Sequence, residues 1–86
     1  MKLIRSKDKL SVFNAAHIHN INILDEVDEN GRETGNVDID VYLCPSEDSV
    51  IHTIATYRSE DECIRNLDRL AAFLSSSSSS GLYEMP

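Results

Sequence analysis

Three histidines are the residues of this 86-residue sequence whose types and spacing best suit a metal ion. His17 and His19 stand two apart in AAHIHNINIL, and on a β-strand such side chains point to the same side, roughly 6.6 Å apart along the chain. A tetrahedral zinc site needs further ligands, and His52 is the candidate for the third. We predict instead that His17 and His19 form the polar end of an apolar strand, with the strand Val37 to Cys44 lying between them and His52.

Paired carboxylates are the second feature with chemical potential. Asp38 and Asp40 alternate on one strand face and could serve acid–base chemistry. They belong to an acidic stretch, because nine acids and one base, Arg32, lie between Asp25 and Asp48. A solvated charged face explains these residues without a catalytic pocket, and it would suit a basic partner. We therefore predict no catalytic residue and a candidate interaction surface made of Asp25, Glu26, Asp28, Glu29, Glu33, Asp38, Asp40 and Tyr42.

Composition excludes several classes of function. The net charge of −7 argues against direct binding of nucleic acid or of an anionic membrane. No apolar run reaches the roughly 18 residues of a membrane span, and the N-terminus lacks an apolar segment of signal-peptide length, so we expect a cytoplasmic protein. Cys44 and Cys63 are expected to be free thiols, Cys63 in the core. The three glycines form no phosphate-binding loop, and we predict no cofactor.

Alternating side chains indicate the strands that must position these residues. VDIDVYLC, residues 37–44, alternates strictly, which places its aliphatic residues on one face and Asp38, Asp40 and Tyr42 on the other. Ile18 to Val27 is a second strand, and the turn signal Asn30-Gly31 joins the two as a hairpin. Odd-numbered residues should then lie opposite odd-numbered ones, so that apolar side chains meet across the hairpin.

Further strands are predicted at both ends of this hairpin. KLIR and LSVF are expected to form a first hairpin, or two strand fragments around a turn. Ser49 to Tyr57 is rich in β-branched residues and predicts another strand. Its register stays open, because two sets of residues could face the core. One set is Val50, His52 and Ile54; the other is Ile51, Thr53, Ala55 and Tyr57.

The hydrophobic period changes to that of a helix after Arg58. Ser59 and Glu62 form a capping box, and an apolar stripe follows along one side of the helix. The stripe consists of Cys63, Ile64, Leu67, Leu70, Ala71 and Leu74. Six serines, Ser75 to Ser80, then precede GLYEMP. Two arrangements remain open: the helix continues through the serines to Gly81 as its C′ residue, or GLYEMP docks on a partner or a second copy.

The segment TYRSEDECIRNLDRLAAFL, with MKLIR at the start, resembles small uncharacterised proteins of bacteria and their phages. In those proteins a meander of short strands ends in a strand that contains Tyr or Thr. A Ser/Thr-x-x-Glu cap and one C-terminal helix follow. The likeness covers residues 50–74 and extends to the rest only as a strand pattern. It implies the fold and carries no established chemistry, and the acidic loop at 28–36 and the serine run depart from the usual compact form.

These patterns predict an α+β fold, an antiparallel sheet of four to five strands with one C-terminal amphipathic helix packed on one face. A single compact domain is placed at residues 1–74 and a serine-rich tail at 75–86. The expected function is that of a small acidic, non-enzymatic interaction module or inhibitor, which binds a basic protein or a second copy of itself. A phage-type protein that blocks a nucleic-acid enzyme would carry such a charge. The alternative is a metal-binding or hydrolytic protein that uses His17, His19 and His52.

Overall fold

The chain forms six strands and one α-helix in the residues that its structure, a computed structural model, describes: 1–43 and 50–86, with Val50 described by its backbone alone. The elements are β1 (Lys2–Arg5), β2 (Val12–Asn14), a short 3₁₀ helix (Ala15–His17), β3 (Ile18–Val27), β4 (Glu33–Leu43), β5 (Val50–Tyr57), α1 (Glu60–Leu74) and β6 (Gly81–Glu84). The predictions for Cys44, for Ser49 as a strand residue and for the side chain of Val50 lie outside the described residues.

Two three-stranded sheets, ordered β2-β1-β6 and β3-β4-β5, replace the single sheet expected from the sequence. The α+β class is confirmed, and so is the hairpin of β1 and β2, whereas the sheet of four to five strands is wrong. The reason lies between β2 and β3. There the Asn14 side chain accepts a hydrogen bond from the Ala16 amide at 3.0 Å and caps the 3₁₀ helix, which turns the chain into the second sheet.

The register predicted for the β3–β4 hairpin is confirmed. Ile21 lies opposite Val41 and Ile23 opposite Ile39, so the apolar residues share the face that is turned to the core. The connecting turn is closed by Asp28, whose carboxylate accepts hydrogen bonds from the amides of Asn30 at 2.8 Å and Arg32 at 3.0 Å. Gly31 has a φ of +78°, which favours glycine at this turn position.

A β-bulge in β5 combines the two registers that the sequence left open. Ala55 lies opposite Ile39, but Thr53 lies opposite Asp40, which leaves Ile54 as the extra residue. The alternation of faces therefore reverses at the bulge. Ile54 and Ala55 are both buried although they are adjacent, and His52 lies opposite Val41. Neither predicted set of core-facing residues holds along the whole strand.

The helix α1 covers the core face of β3-β4-β5. Its N-cap is Ser59, as predicted, and the Ser59 hydroxyl accepts a hydrogen bond from the Glu62 amide at 3.2 Å. Cys63 and Leu70 are fully buried, and Leu67 and Leu74 pack against the same core. The predicted stripe was too wide, because Ile64 and Ala71 lie on its margin and are exposed.

The helix ends at Leu74, so its predicted continuation through the serines is wrong. Serine is a weaker helix former than alanine, and the last carbonyls of α1 already have another partner. Lys2 Nζ, from β1, donates to the carbonyl oxygens of Phe73 at 3.0 Å and Leu74 at 2.8 Å. The cation also complements the negative end of the helix dipole.

GLYE forms β6, which pairs in parallel with β1 of the same chain. The segment is therefore held by its own chain, and its position does not require a partner or a second copy. Gly81 has a φ of +144°, and a Cβ there would meet the Phe73 ring at 3.1 Å, so two constraints favour glycine. Met85, which follows β6, is buried in the core together with Ile4 of β1 and Phe13 of β2. One core therefore joins both sheets and the helix.

Candidate interaction surface

The face of β3-β4-β5 that is turned away from α1 carries three cross-strand rows of side chains. We call these rows the outer face, and none of their residues belongs to the core cluster. The register defines the rows as Leu24, Asp38 and Thr56; Asn22, Asp40 and Thr53; and Asn20, Tyr42 and Ile51. Glu26 continues the β3 side of this face, where it binds Asn36 of β4. The outer face thus combines carboxylates, neutral polar groups and a few apolar side chains.

The carboxylates of the outer face are held by neutral donors. Thr56 Oγ1 donates to Asp38 Oδ1 at 2.6 Å, and Thr53 Oγ1 donates to Asp40 Oδ1 at 2.7 Å. Only 8% of Asp40 is exposed. These bonds fix the carboxylates in position without cancelling their charge.

Glu26 is held in the same manner. Its Oε1 accepts hydrogen bonds from Thr34 Oγ1 at 2.7 Å and from Asn36 Nδ2 at 3.2 Å. The rows contain no lysine, arginine or histidine. In the described part of the chain the ion pairs are those of Arg5 and Lys9 with Glu84, which lies in the other sheet. Within the described residues, the carboxylates of the outer face therefore form no ion pair, and Lys7 binds the Thr56 carbonyl oxygen through Nζ.

The environment of Asp38 raises the pKa of its carboxyl above the ordinary value of 3.8. Burial is the largest cause, and the charges of Glu26 and Asp40 act in the same direction, while the hydrogen bond from Thr56 opposes them. The ionised carboxylate is thus less well solvated here than in water. A cation supplied from outside would stabilise it.

Two apolar side chains lie at opposite corners of the outer face. Leu24 in β3 is 44% exposed and Ile51 in β5 is 52% exposed. Single exposed apolar residues are common on protein surfaces. Here they border a charged centre, so a partner that covers the face would bury apolar area as well as meet the carboxylates.

The structure divides the predicted interaction surface into two groups. Glu26, Asp38, Asp40 and Tyr42 come together on the outer face. The remaining residues lie elsewhere: Asp25 opposite Val37, Asp28 and Glu29 in the hairpin turn, and Glu33 at the start of β4. Asp28 has a structural role there, because its carboxylate binds the turn amides.

Residues of the outer face that the predicted surface omitted are Asn20, Asn22, Leu24, Ile51, Thr53 and Thr56. The alternation of β3 places Leu24 on the aspartate side of the hairpin, so a signal for this residue existed in the sequence. No such signal existed for the threonines. Thr53 and Thr56 share a face only because the bulge at Ile54 lies between them.

The histidines occupy three different settings. His17 ends the 3₁₀ helix and His19 lies at the register shift between Ile18 and Asn20, so the prediction of two imidazoles two apart on a regular strand is wrong. His52 packs against Phe13, with 5.3 Å between ring centroids. In residues 1–43 and 50–86, no three His, Cys, Asp or Glu side chains are grouped so that they could hold a metal ion.

Cys63 is a buried free thiol, as expected for a core residue. Its Sγ donates to the Val37 carbonyl oxygen at 3.3 Å. Burial, followed by the nearby charge of Asp38, raises the pKa of the thiol. The neutral thiol is therefore favoured, which is the opposite of what a nucleophilic cysteine requires.

Comparison of the chain with protein-family models, with curated proteins and with solved structures finds no match. Within the described residues, no helix combines the length and the apolar character that a membrane crossing needs.

Proposed function

We propose that this chain is a small, cytoplasmic, non-enzymatic interaction module whose outer face binds a basic protein surface. The observation that carries the proposal is the chemistry of Asp38 and Asp40. Their carboxylates accept hydrogen bonds from threonine hydroxyls, form no ion pair within the described residues, and lie in β4, the central strand of its sheet, on the side opposite the core residues. Such a face favours a partner whose lysines or arginines supply the missing charge.

The partner that fits is a folded protein with a basic patch, of the kind that nucleic-acid enzymes use to hold phosphates. The net charge of −7 is complementary to such a patch. Leu24 and Ile51 would be covered at the edges of the contact, and the charged centre would set orientation and association rate.

The experiment compares two double variants that change the net charge equally. Asp38→Asn/Asp40→Asn neutralises the centre of the outer face and keeps oxygen acceptors for Thr56 and Thr53. Asp61→Asn/Asp68→Asn neutralises two exposed aspartates of α1, on the other side of the sheet. Proteins captured from host lysate by the wild type are identified, and the binding of the purified partner is then measured for all three chains.

A basic protein retained by the wild type and by the α1 variant, but bound about tenfold or more weakly by the outer-face variant, supports the proposal. Its affinity should also fall as salt concentration rises. Equal binding by both double variants would contradict the proposal, because net charge rather than this face would then explain the contact.

A further inference from the structure

Within the described residues, β3 leaves one backbone edge unpaired. In the sheet order β3-β4-β5 this ten-residue strand, Ile18–Val27, pairs with β4 alone. The opposite edge of the sheet is partly covered, because Lys7 bonds to β5 through its amide, 2.7 Å from the Ile54 oxygen, and through Nζ, 2.9 Å from the Thr56 oxygen. In the described residues no strand covers the β3 edge.

The central part of β3 is suited to pair with another strand. The Ile21 amide donates to the side chain of the adjacent Asn20 at 3.0 Å, which indicates that it points away from β4. Backbone groups alternate in direction along an antiparallel strand, so Ile23 and Asp25 present theirs to the same open side. Proteins commonly protect such edges with lysine, proline or β-bulges; β3 contains neither lysine nor proline, and its register shifts lie towards its two ends.

The sequence of β3 is complementary to itself in the antiparallel direction. With Asn22 on a twofold axis, Ile21 lies opposite Ile23 of the second copy, and Asn20 lies opposite Leu24. The same side chains meet twice, as twofold symmetry requires. Register shifts lie between Ile18 and Asn20 and between Asp25 and Val27, so regular pairing about Asn22 covers residues 20–24.

We propose that this chain forms a homodimer in which the β3 edges of two copies pair antiparallel, with Asn22 at the twofold axis, to give one continuous six-stranded sheet. The occupant of the edge is a second copy rather than an unrelated peptide, because Ile21 and Ile23 of one copy meet Ile23 and Ile21 of the other in the same register. The two outer faces then form one surface on the same side of the sheet.

The first test measures the oligomeric state by sedimentation equilibrium over a range of protein concentrations. The wild type should be a dimer. Asn22→Lys should weaken dimerisation by about tenfold or more, because two ammonium groups would meet at the axis. Within one chain the introduced side chain lies opposite Asp40, so the fold should be retained, which circular dichroism checks.

Thr53→Lys is the matched control, because it adds the same charge on the other side of Asp40, on β5. Thr53→Lys should leave the dimer intact. Asp38→Asn/Asp40→Asn, the variant that tests the proposed function, should also leave the dimer intact. A loss of partner binding can therefore be distinguished from a loss of dimerisation. A monomeric wild type, or a folded Asn22→Lys variant that dimerises as tightly as the wild type, overturns the dimer. The dimer is also overturned if the β3 edge binds an extended peptide but not a second copy of this chain.

The second test examines the register. Asn22 and its symmetry mate form a non-hydrogen-bonded pair, whose Cα atoms are about 4.5 Å apart, within the range of a disulfide. In a Cys44→Ser background, Asn22→Cys should give a covalent dimer on oxidation, while Thr53→Cys should not. A dimer that is cross-linked equally by both variants, or by neither, overturns the twofold axis at Asn22.

Discussion

At the scale of the single residue, Asp38 is held in a setting that disfavours its charge. The pKa of Asp38 is raised in the folded chain, so the fold favours the protonated carboxyl. The stabilisation that this preference provides is fully present below pH 3.8, the ordinary value, and is lost as pH rises through the folded pKa. Asp38→Asn removes the charge and keeps an acceptor for Thr56. We expect this variant to be at least as stable as the wild type at neutral pH, with a difference that shrinks below pH 3.8.

Thermal unfolding followed by circular dichroism at several pH values measures this difference. Thr56→Val is the companion variant, because removing the hydroxyl that lowers the pKa should raise the pKa of Asp38 further, as NMR titration of the carboxyl carbon would show. A neutral-pH loss of stability in Asp38→Asn would contradict the role assigned to burial.

Tyr57 is the second residue whose environment links stability to pH. Burial, followed by the charges of Cys63, Tyr83 and Glu62, raises the pKa of its hydroxyl from 10.0 to about 12. The stability that this group contributes is therefore present below pH 10 and is lost as pH rises towards 12. The hydroxyl also donates to the Pro86 oxygen at 2.7 Å.

We expect Tyr57→Phe to lower the free energy of unfolding by about 1 kcal/mol at neutral pH, the usual net value of one hydrogen bond. The same variant should lose less stability than the wild type between pH 10 and pH 12. Urea unfolding at both ends of this interval measures the effect, and parallel losses in the two proteins would show that folding does not raise the pKa of Tyr57.

At the scale of the element, α1 depends on its first turn. The Ser59 hydroxyl binds the Glu62 amide at 3.2 Å, and three acids, Glu60, Asp61 and Glu62, lie where the helix dipole favours them. Ser59→Ala should lower the free energy of unfolding by about 1 kcal/mol, and Ser59→Asp should restore most of it, because aspartate is an equally good N-cap. Urea unfolding compares the three proteins. An unchanged free energy of unfolding in Ser59→Ala would contradict the role of Ser59 as the N-cap.

Local patterns predicted the elements that local interactions determine. The β3–β4 register follows from the alternation of its own residues, and the start of α1 follows from Ser59. The bulge at Ile54 could not be predicted, because both registers of β5 place β-branched residues against β4. The carboxylates of the outer face were therefore predictable, whereas the threonines that hold them were not.

At the scale of the whole molecule, the division into two sheets depends on contacts between distant parts of the chain. β1 pairs with β6 at the opposite end of the sequence, and the amide of Lys7 bonds to Ile54. Alternation in KLIR or GLYE is too short to select a partner strand. The six serines, which suggested a tail or a longer helix, connect α1 to a strand of the first sheet.

A matched pair of substitutions tests whether the segment after the serines stabilises the whole fold. Met85 is 5% exposed within the common core, whereas Leu82, three residues earlier, is 46% exposed. Met85→Ala should lower the free energy of unfolding by about 2–5 kcal/mol, because it leaves a cavity where both sheets meet. Leu82→Ala should change it by about 0.5 kcal/mol or less, as expected of an exposed position. Both values come from urea unfolding. Equal losses of unfolding free energy in Met85→Ala and Leu82→Ala would mean that the buried and exposed side chains of this segment contribute alike to stability. The pairing of β6 with β1 would then not be part of the cooperative core.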